Sequence, residues 1–273
     1  MWLVRTARRR PGASVGERMT LRSALVALGV LLLVACSCAK KDNQVQDTAA
    51  PPPPPVLSPD AVTIDPQGLA SVVKGEVIHA TANRPGTKPF LNGEPEHLRF
   101  RFDQDSLTPG YHFTQRQVLI YPITAYRNLF QGTARDSFNG EIAKLQDLLD
   151  ARPSRVNDTI PLFPKVDGHQ LYNARVEYLE LNGGSGIRFL TRYDDGVSPG
   201  IFYAFQGIVG DRYIAVFWPI VPQEQPTMKD APRIASFLEG LTQEEFTPTL
   251  ETIDKIVESI QIKEPGTAPP PPQ

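Results

Sequence analysis

Apolar residues recur every second position at Leu98, Phe100 and Phe102, with Arg99 and Arg101 between them, which predicts a strand with one buried face. Residues 118–123 predict a second strand. Pro122 has no amide hydrogen to give a sheet, so it places the end of that strand at an edge or a bulge. Over 138–151 the period lengthens to that of a helix, with Ile142, Leu145, Leu148 and Leu149 on one side, and Arg152-Pro153 stops it. A meander of strands follows. Residues 175–181 alternate imperfectly, Val176, Tyr178 and Glu180 sharing one face and Glu177, Leu179 and Leu181 the other. Residues 182–186 (Asn-Gly-Gly-Ser-Gly) predict a turn into a strand over 187–193. Asp194-Asp195-Gly196 with Pro199-Gly200 predicts the next turn, and 201–209 then pairs with 212–220 across Gly210-Asp211.

Those last two strands are apolar on both faces, which calls for cover on both sides of the sheet. The C-terminal stretch supplies it. Ile234, Phe237, Leu238 and Leu241 follow helical spacing, with Gly240 near the end. A further, longer helix is predicted to open on Thr247 as its cap with Pro248 in its first turn, setting Leu250, Ile253, Ile256, Val257 and Ile260 largely on one face. The expected fold class is therefore α+β: an antiparallel β-sheet flanked by helices, an α/β/α sandwich, over residues 60–264.

Composition changes this picture mainly at the ends of the chain. Of 273 residues, 41% are hydrophobic and 21% charged, enough to bury an ordinary core. Proline is in excess at 27 residues, with two runs at 51–55 and 269–272. Six of the 28 basic and one of the 30 acidic side chains fall in residues 1–35, which leaves 22 against 29 and a balance near −7. That balance argues against a general nucleic-acid binder. Cys36 and Cys38 are the two cysteines and both precede the domain, so the domain can hold neither a disulfide of its own nor a cysteine zinc site.

Arg5, Arg8, Arg9, Arg10, Arg18 and Arg22 form a basic region ahead of a short apolar run over 24–35, broken only by Gly29. A membrane span needs about 20 apolar residues, so this run reads as an export signal over residues 1–35. A compact form of the same signal would start at Met19, with Arg22 as its charge. The run ends in Leu33-Val34-Ala35-Cys36, which resembles the lipobox of bacterial lipoproteins. The resemblance implies cleavage after Ala35 and a diacylglyceryl group on the Cys36 thiol, with membrane lipid as the partner and the extracytoplasmic side of the cell envelope as the location. Small Ala35 admits a protease, and only a cysteine thiolate is nucleophilic enough to form the thioether. An ordinary signal peptide with a chance cysteine, or a buried apolar helix, is the competing reading. Cys38 is the poorer acceptor, because Ala35 would then stand where a larger apolar residue belongs. Several acyl chains at about 0.8 kcal/mol per methylene hold firmly where one does not. Ser37 after the cysteine, by the sorting habit of such lipoproteins, permits outer-membrane delivery.

Residues 36–59 predict a disordered, proline-rich tether, whose proline run extends at about 3.1 Å per residue, and 265–273 a similar tail. A proline tract can also dock on aromatic grooves of partner proteins, a spacer being the plainer reading. By order of elements the domain resembles the PsbP-like α/β/α sandwich. Ile160-Pro161-Leu162-Phe163-Pro164 and the segment Gly184 to Tyr193 (Gly-Ser-Gly-Ile-Arg-Phe-Leu-Thr-Arg-Tyr) resemble a family of uncharacterised bacterial secreted proteins and lipoproteins over most of residues 90–262. That resemblance implies a shared fold and setting and brings no catalytic residues.

The search for chemistry returns little. His79, His97, His112 and His169 show no H-E-x-x-H or H-x-H spacing. Asp167 and His169 could make an acid–base pair but flank Gly168 as turn residues do. Ser185 lacks the second glycine and the strand-to-helix turn of a nucleophile elbow, and its glycines lack the lysine of a phosphate loop. Asp103 and Asp105 open like a calcium loop, but Thr108 and Thr114 stand where glycine and glutamate are needed. Asp194-Asp195 suits a polar turn better than a cation site. Tyr193, Phe202, Tyr203, Phe205, Tyr213, Phe217 and Trp218 either pack the core or line a cleft between sheet and helix. The expected function is a lipid-anchored, noncatalytic binding domain without a cofactor, its partner an envelope protein, polymer or small ligand. The alternatives are an envelope hydrolase using Asp194, Asp195 and His169, and a structural envelope protein.

Overall fold

The computed structural model describes residues 58–103, 115–194, 196, 200–227 and 230–263. The predicted signal, Cys36, the tether to residue 57, Glu264 and the tail over 265–273 fall outside this set, as do Asp105, His112 and Asp195. Its centre is a seven-stranded antiparallel sheet built from β2 (Val73–Ile78), β3 (His97–Phe102), β4 (Gln117–Pro122), β5 (Ala174–Leu181), β6 (Gly184–Thr191), β7 (Phe202–Val209) and β8 (Arg212–Pro219). The spatial order is β2-β3-β4-β8-β7-β6-β5. Two helices, α1 (Ile123–Asn128) and α2 (Gly132–Ala151), leave β4, and two more, α3 (Ala231–Gly240) and α4 (Leu250–Glu258), follow β8.

Each helix pair buries a different face of the sheet. On one face Tyr126, Phe138, Ile142 and Leu145 meet Leu119, Tyr213, Phe217 and Phe189. On the other Ile234, Leu238, Ile253 and Val257 meet Phe100, Tyr203, Phe205 and Trp218. The strands β7 and β8 lie inside this sandwich, which is why both of their faces are apolar. Outside the main sheet, β1 (Val62–Thr63) pairs antiparallel with β11 (Gln261–Ile262), and the Lys263 amide donates to the Ala61 carbonyl at 2.8 Å. A second small ladder joins β9 (Val221–Pro222) to β10 (Phe246–Thr247).

Four expectations are corrected in detail. The strand ending at Pro122 is interior, paired with both β3 and β8. Proline is tolerated because it is the last residue of β4, and the chain turns at once into α1, where the Ile123 amide donates to the Asp211 carbonyl at 2.9 Å. Helix α2 starts at Gly132, since Ala134 extends its buried stripe upstream of Phe138, and it ends as predicted with Arg152 in the left-handed region at φ 44°. Only Asn182 and Gly183 turn the chain, with Leu181 opposite Gly184. Gly184, Ser185 and Gly186 are already strand, and a Cβ on Gly186 would come within 2.1 Å of the Phe205 ring. Gly186 makes room for the buried phenyl ring and Gly184 for the Ile208 carbonyl of β7, and neither is there to bend the backbone. Finally, Thr249 caps α4, its hydroxyl accepting from the Thr252 amide at 3.3 Å, while Thr247 belongs to β10 and Pro248 precedes the cap. At nine residues α4 is shorter than the ten-residue α3.

Candidate functional site

The proposed acid–base residues come together only in part. The Asp194 carboxylate accepts from the His169 main-chain N–H, and the Asp194 amide donates to the His169 carbonyl at 3.2 Å. The contact ties a loop to the end of β6 through the main chain and leaves the imidazole out of it. Asp103 is likewise engaged. Its Oδ1 accepts from the Ser71 amide at 2.7 Å, the Ser71 hydroxyl at 2.9 Å and the Val72 amide at 3.2 Å. The Ser71 amide bond, first among these, holds its carboxyl below the usual carboxylate range. Ser185 sits within β6, not at a strand-to-helix turn. Phe202, Tyr213 and Phe217 fill the core on one side, with Tyr193 packed against it, and Tyr203, Phe205 and Trp218 fill the other.

His79 is exposed beside Glu96 at 3.4 Å, and His97 is only 3% exposed, its Nδ1–H donating to the Pro95 carbonyl at 2.8 Å. Its ring lies 4.4 Å from that of Tyr121, whose hydroxyl donates to Glu94 at 2.7 Å. Among the described residues no three His, Cys, Asp or Glu side chains gather to hold a metal, and no helix is long and apolar enough to cross a membrane.

The structure assembles two polar features that pattern reading missed. In the first, Arg188 of β6 is 1% exposed and reaches across the α4 face. Its Nη2 and Nε donate to Asp254 of α4 at 3.1 and 3.3 Å, its Nη2 also to Glu177, and its Nη1 to the Arg175 carbonyl. Tyr203 donates to the same Asp254 at 2.8 Å. Burial pushes the Asp254 carboxyl above its ordinary value, against the pull of Arg188, and burial likewise drives Tyr203 well up. A signal for this network does exist in the sequence. Asp254 interrupts the apolar stripe four residues after Leu250 and three before Val257, and Arg188 stands between two core residues.

The second feature lies at the outer edge of β5. At Arg175 the chain enters the left-handed region, φ 54°, and the register against β6 shifts between Ala174 and Glu177. The displaced Arg175 amide points to α3 and donates to Glu239 Oε1 at 2.6 Å. On the opposite side the loop after α2 is held by one side chain just before β5 and one within it. The Asn173 amide nitrogen donates to the carbonyls of Asp158 at 2.7 Å and Val156 at 3.3 Å, and the Tyr178 hydroxyl to Pro153 at 3.2 Å. Between α3, the bulged strand and this loop opens a recess of about 440 Å³, its wall formed by Arg155, Asn157, Asn173, Val176, Ser236 and Glu239. A second recess of about 420 Å³ shares Arg155 and Asn157 and reaches Lys144 and Asp147 on the last turns of α2. The residues of the first recess lie between 3 and 66 positions from Asn173 and carry no spacing motif.

The chain matches no family model, no curated protein and no solved structure.

Proposed function

We propose that this chain is a lipid-anchored binding module on the extracytoplasmic side of a bacterial envelope, acting without a cofactor. The observation that carries the reading is Leu33-Val34-Ala35-Cys36 at the end of a short apolar run too brief to span a bilayer. Cys36 takes the lipid, residues up to about 59 tether the domain, and the domain meets its ligand with a surface that is polar and accessible. The recess at the β5 edge supports that last step, since it combines volume with side chains that have bonding capacity to spare.

The test is native mass spectrometry of the chain extracted from its own membranes, alongside Cys36→Ser. The expected wild-type mass is that of a chain beginning at Cys36 with acyl groups and carrying a co-purifying ligand. Cys36→Ser is expected to lose the acyl mass and to leave the membrane fraction or persist as the uncleaved precursor. A wild-type chain without acyl mass overturns the anchor. A lipidated chain with no ligand mass and no binding in solution overturns the module.

A further inference from the structure

The chemistry of the β5 recess is more specific than polarity alone. Arg155 makes no ion pair or hydrogen bond among the described residues, so its guanidinium, always charged, stands free in the wall. Glu239 has one oxygen taken by the Arg175 amide and the other open. Asn173 has committed its amide nitrogen to the loop, which leaves Oδ1 enclosed with no partner. Val176 and Ala235 add a small apolar contact.

These groups select among ligands. A phosphate or other plain anion would suit Arg155 but meet Glu239 in the same recess. A sugar ring would find no aromatic platform in the wall, and a lipid too little apolar surface. A molecule with a carboxylate at one end and an ammonium at the other satisfies the whole set. The guanidinium takes a carboxylate through two parallel N–H···O bonds, while Glu239 Oε2 accepts from the ammonium. The 440 Å³ volume falls within the usual range for small-ligand sites, and the adjoining recess at Lys144 and Asp147 extends the groove for a longer chain. We infer that the β5 edge binds a short peptide with free ends, its carboxylate on Arg155 and its amino group on Glu239; this rests on the reading of the domain as a binding module.

The experiment is calorimetric titration of trialanine into the detergent-extracted mature chain, with N-acetyl-trialanine amide as the uncharged control. Wild type is expected to bind trialanine one to one. Arg155→Gln and the capped peptide are each expected to weaken binding at least tenfold. Arg155 is exposed, so the variant keeps its fold, which an unchanged Trp218 emission spectrum verifies. Equal binding by wild type and Arg155→Gln overturns the assignment, as does no binding by wild type. If trialanine fails while a different co-purifying mass persists in Arg155→Gln, the peptide assignment falls and the binding module stands. If neither is seen, both fall.

Discussion

Asp254→Asn removes a charge on which two buried partners depend. The Arg188 side chain is 1% exposed and that of Asp254 11%, so the pair sits almost wholly out of water. Removing one member of such a pair costs about 3–5 kcal/mol, because the other charge stays buried without its counter-ion. Here the lower end applies. Glu177 and the Arg175 carbonyl still hold the guanidinium, and the asparagine oxygen still accepts from Tyr203. A loss of about 3 kcal/mol at a urea slope near 2 kcal/mol per molar moves the denaturation midpoint down by about 1.5 M. Trp218, the one tryptophan after residue 35 and packed edge-on to Phe102 at 4.7 Å, reports the transition. Glu177→Gln is the internal control. Its side chain is 48% exposed, so the expected loss is under about 1 kcal/mol. Arg188→Met with Asp254→Leu is expected to recover most of what either change loses alone, since apolar side chains of similar size replace a buried ion pair at little cost. A midpoint shift below about 0.3 M for Asp254→Asn would refute the reasoning, and so would a double variant no more stable than the two losses added together.

Tyr126→Phe is expected to leave stability unchanged or raise it by up to about 1 kcal/mol, because the Tyr126 hydroxyl is buried without a partner; a lower thermal midpoint would contradict this. Gly186→Ala is expected to cost about 1–3 kcal/mol as the new methyl meets the Phe205 ring, and adding Phe205→Leu should return part of the loss in urea denaturation. Asp103 has a folded-state pKa below its unfolded one, so its stabilisation is present above the unfolded value and is lost as pH falls through the folded value. Asp103→Asn should therefore flatten the fall in denaturation midpoint between about pH 5 and 2, and an unchanged acid slope would count against the Ser71 and Val72 bonds.

What was legible in the sequence followed from burial. Leu98, Phe100 and Phe102 announce a one-sided strand because their alternate positions face different media, and Phe202 to Phe205 announce a two-sided one for the same reason. Misplaced boundaries arose where a residue has two physical uses. Glycine serves a turn at Gly183 and close packing at Gly186, and proline can end a strand at the sheet's interior as well as at its edge. The recess escaped for a different reason. Arg155, Asn173 and Glu239 are each ordinary in their own neighbourhoods, and they share one opening through the Arg175 amide bond to Glu239 and the Asn173 bonds to the loop after α2. Pairing partners such as Arg188 and Asp254 are 66 residues apart, a separation that periodicity does not register.

The pairing of β1 with β11 makes the described backbone almost a closed circuit. Val62 stands opposite Ile262, and antiparallel partners of this kind lie only about 4.5–5.5 Å apart. A linker of a few residues from Lys263 to Ser58 would complete the ring, and the chain could then be opened at the Asn182-Gly183 turn as a circular permutant with the same sheet order. An anchor attached at that new end would hold the domain by the β5–β6 hairpin instead of the β1–β11 ladder. Under the proposed anchoring, which surface the molecule turns toward a membrane is then set by where the chain is cut, independently of how it folds.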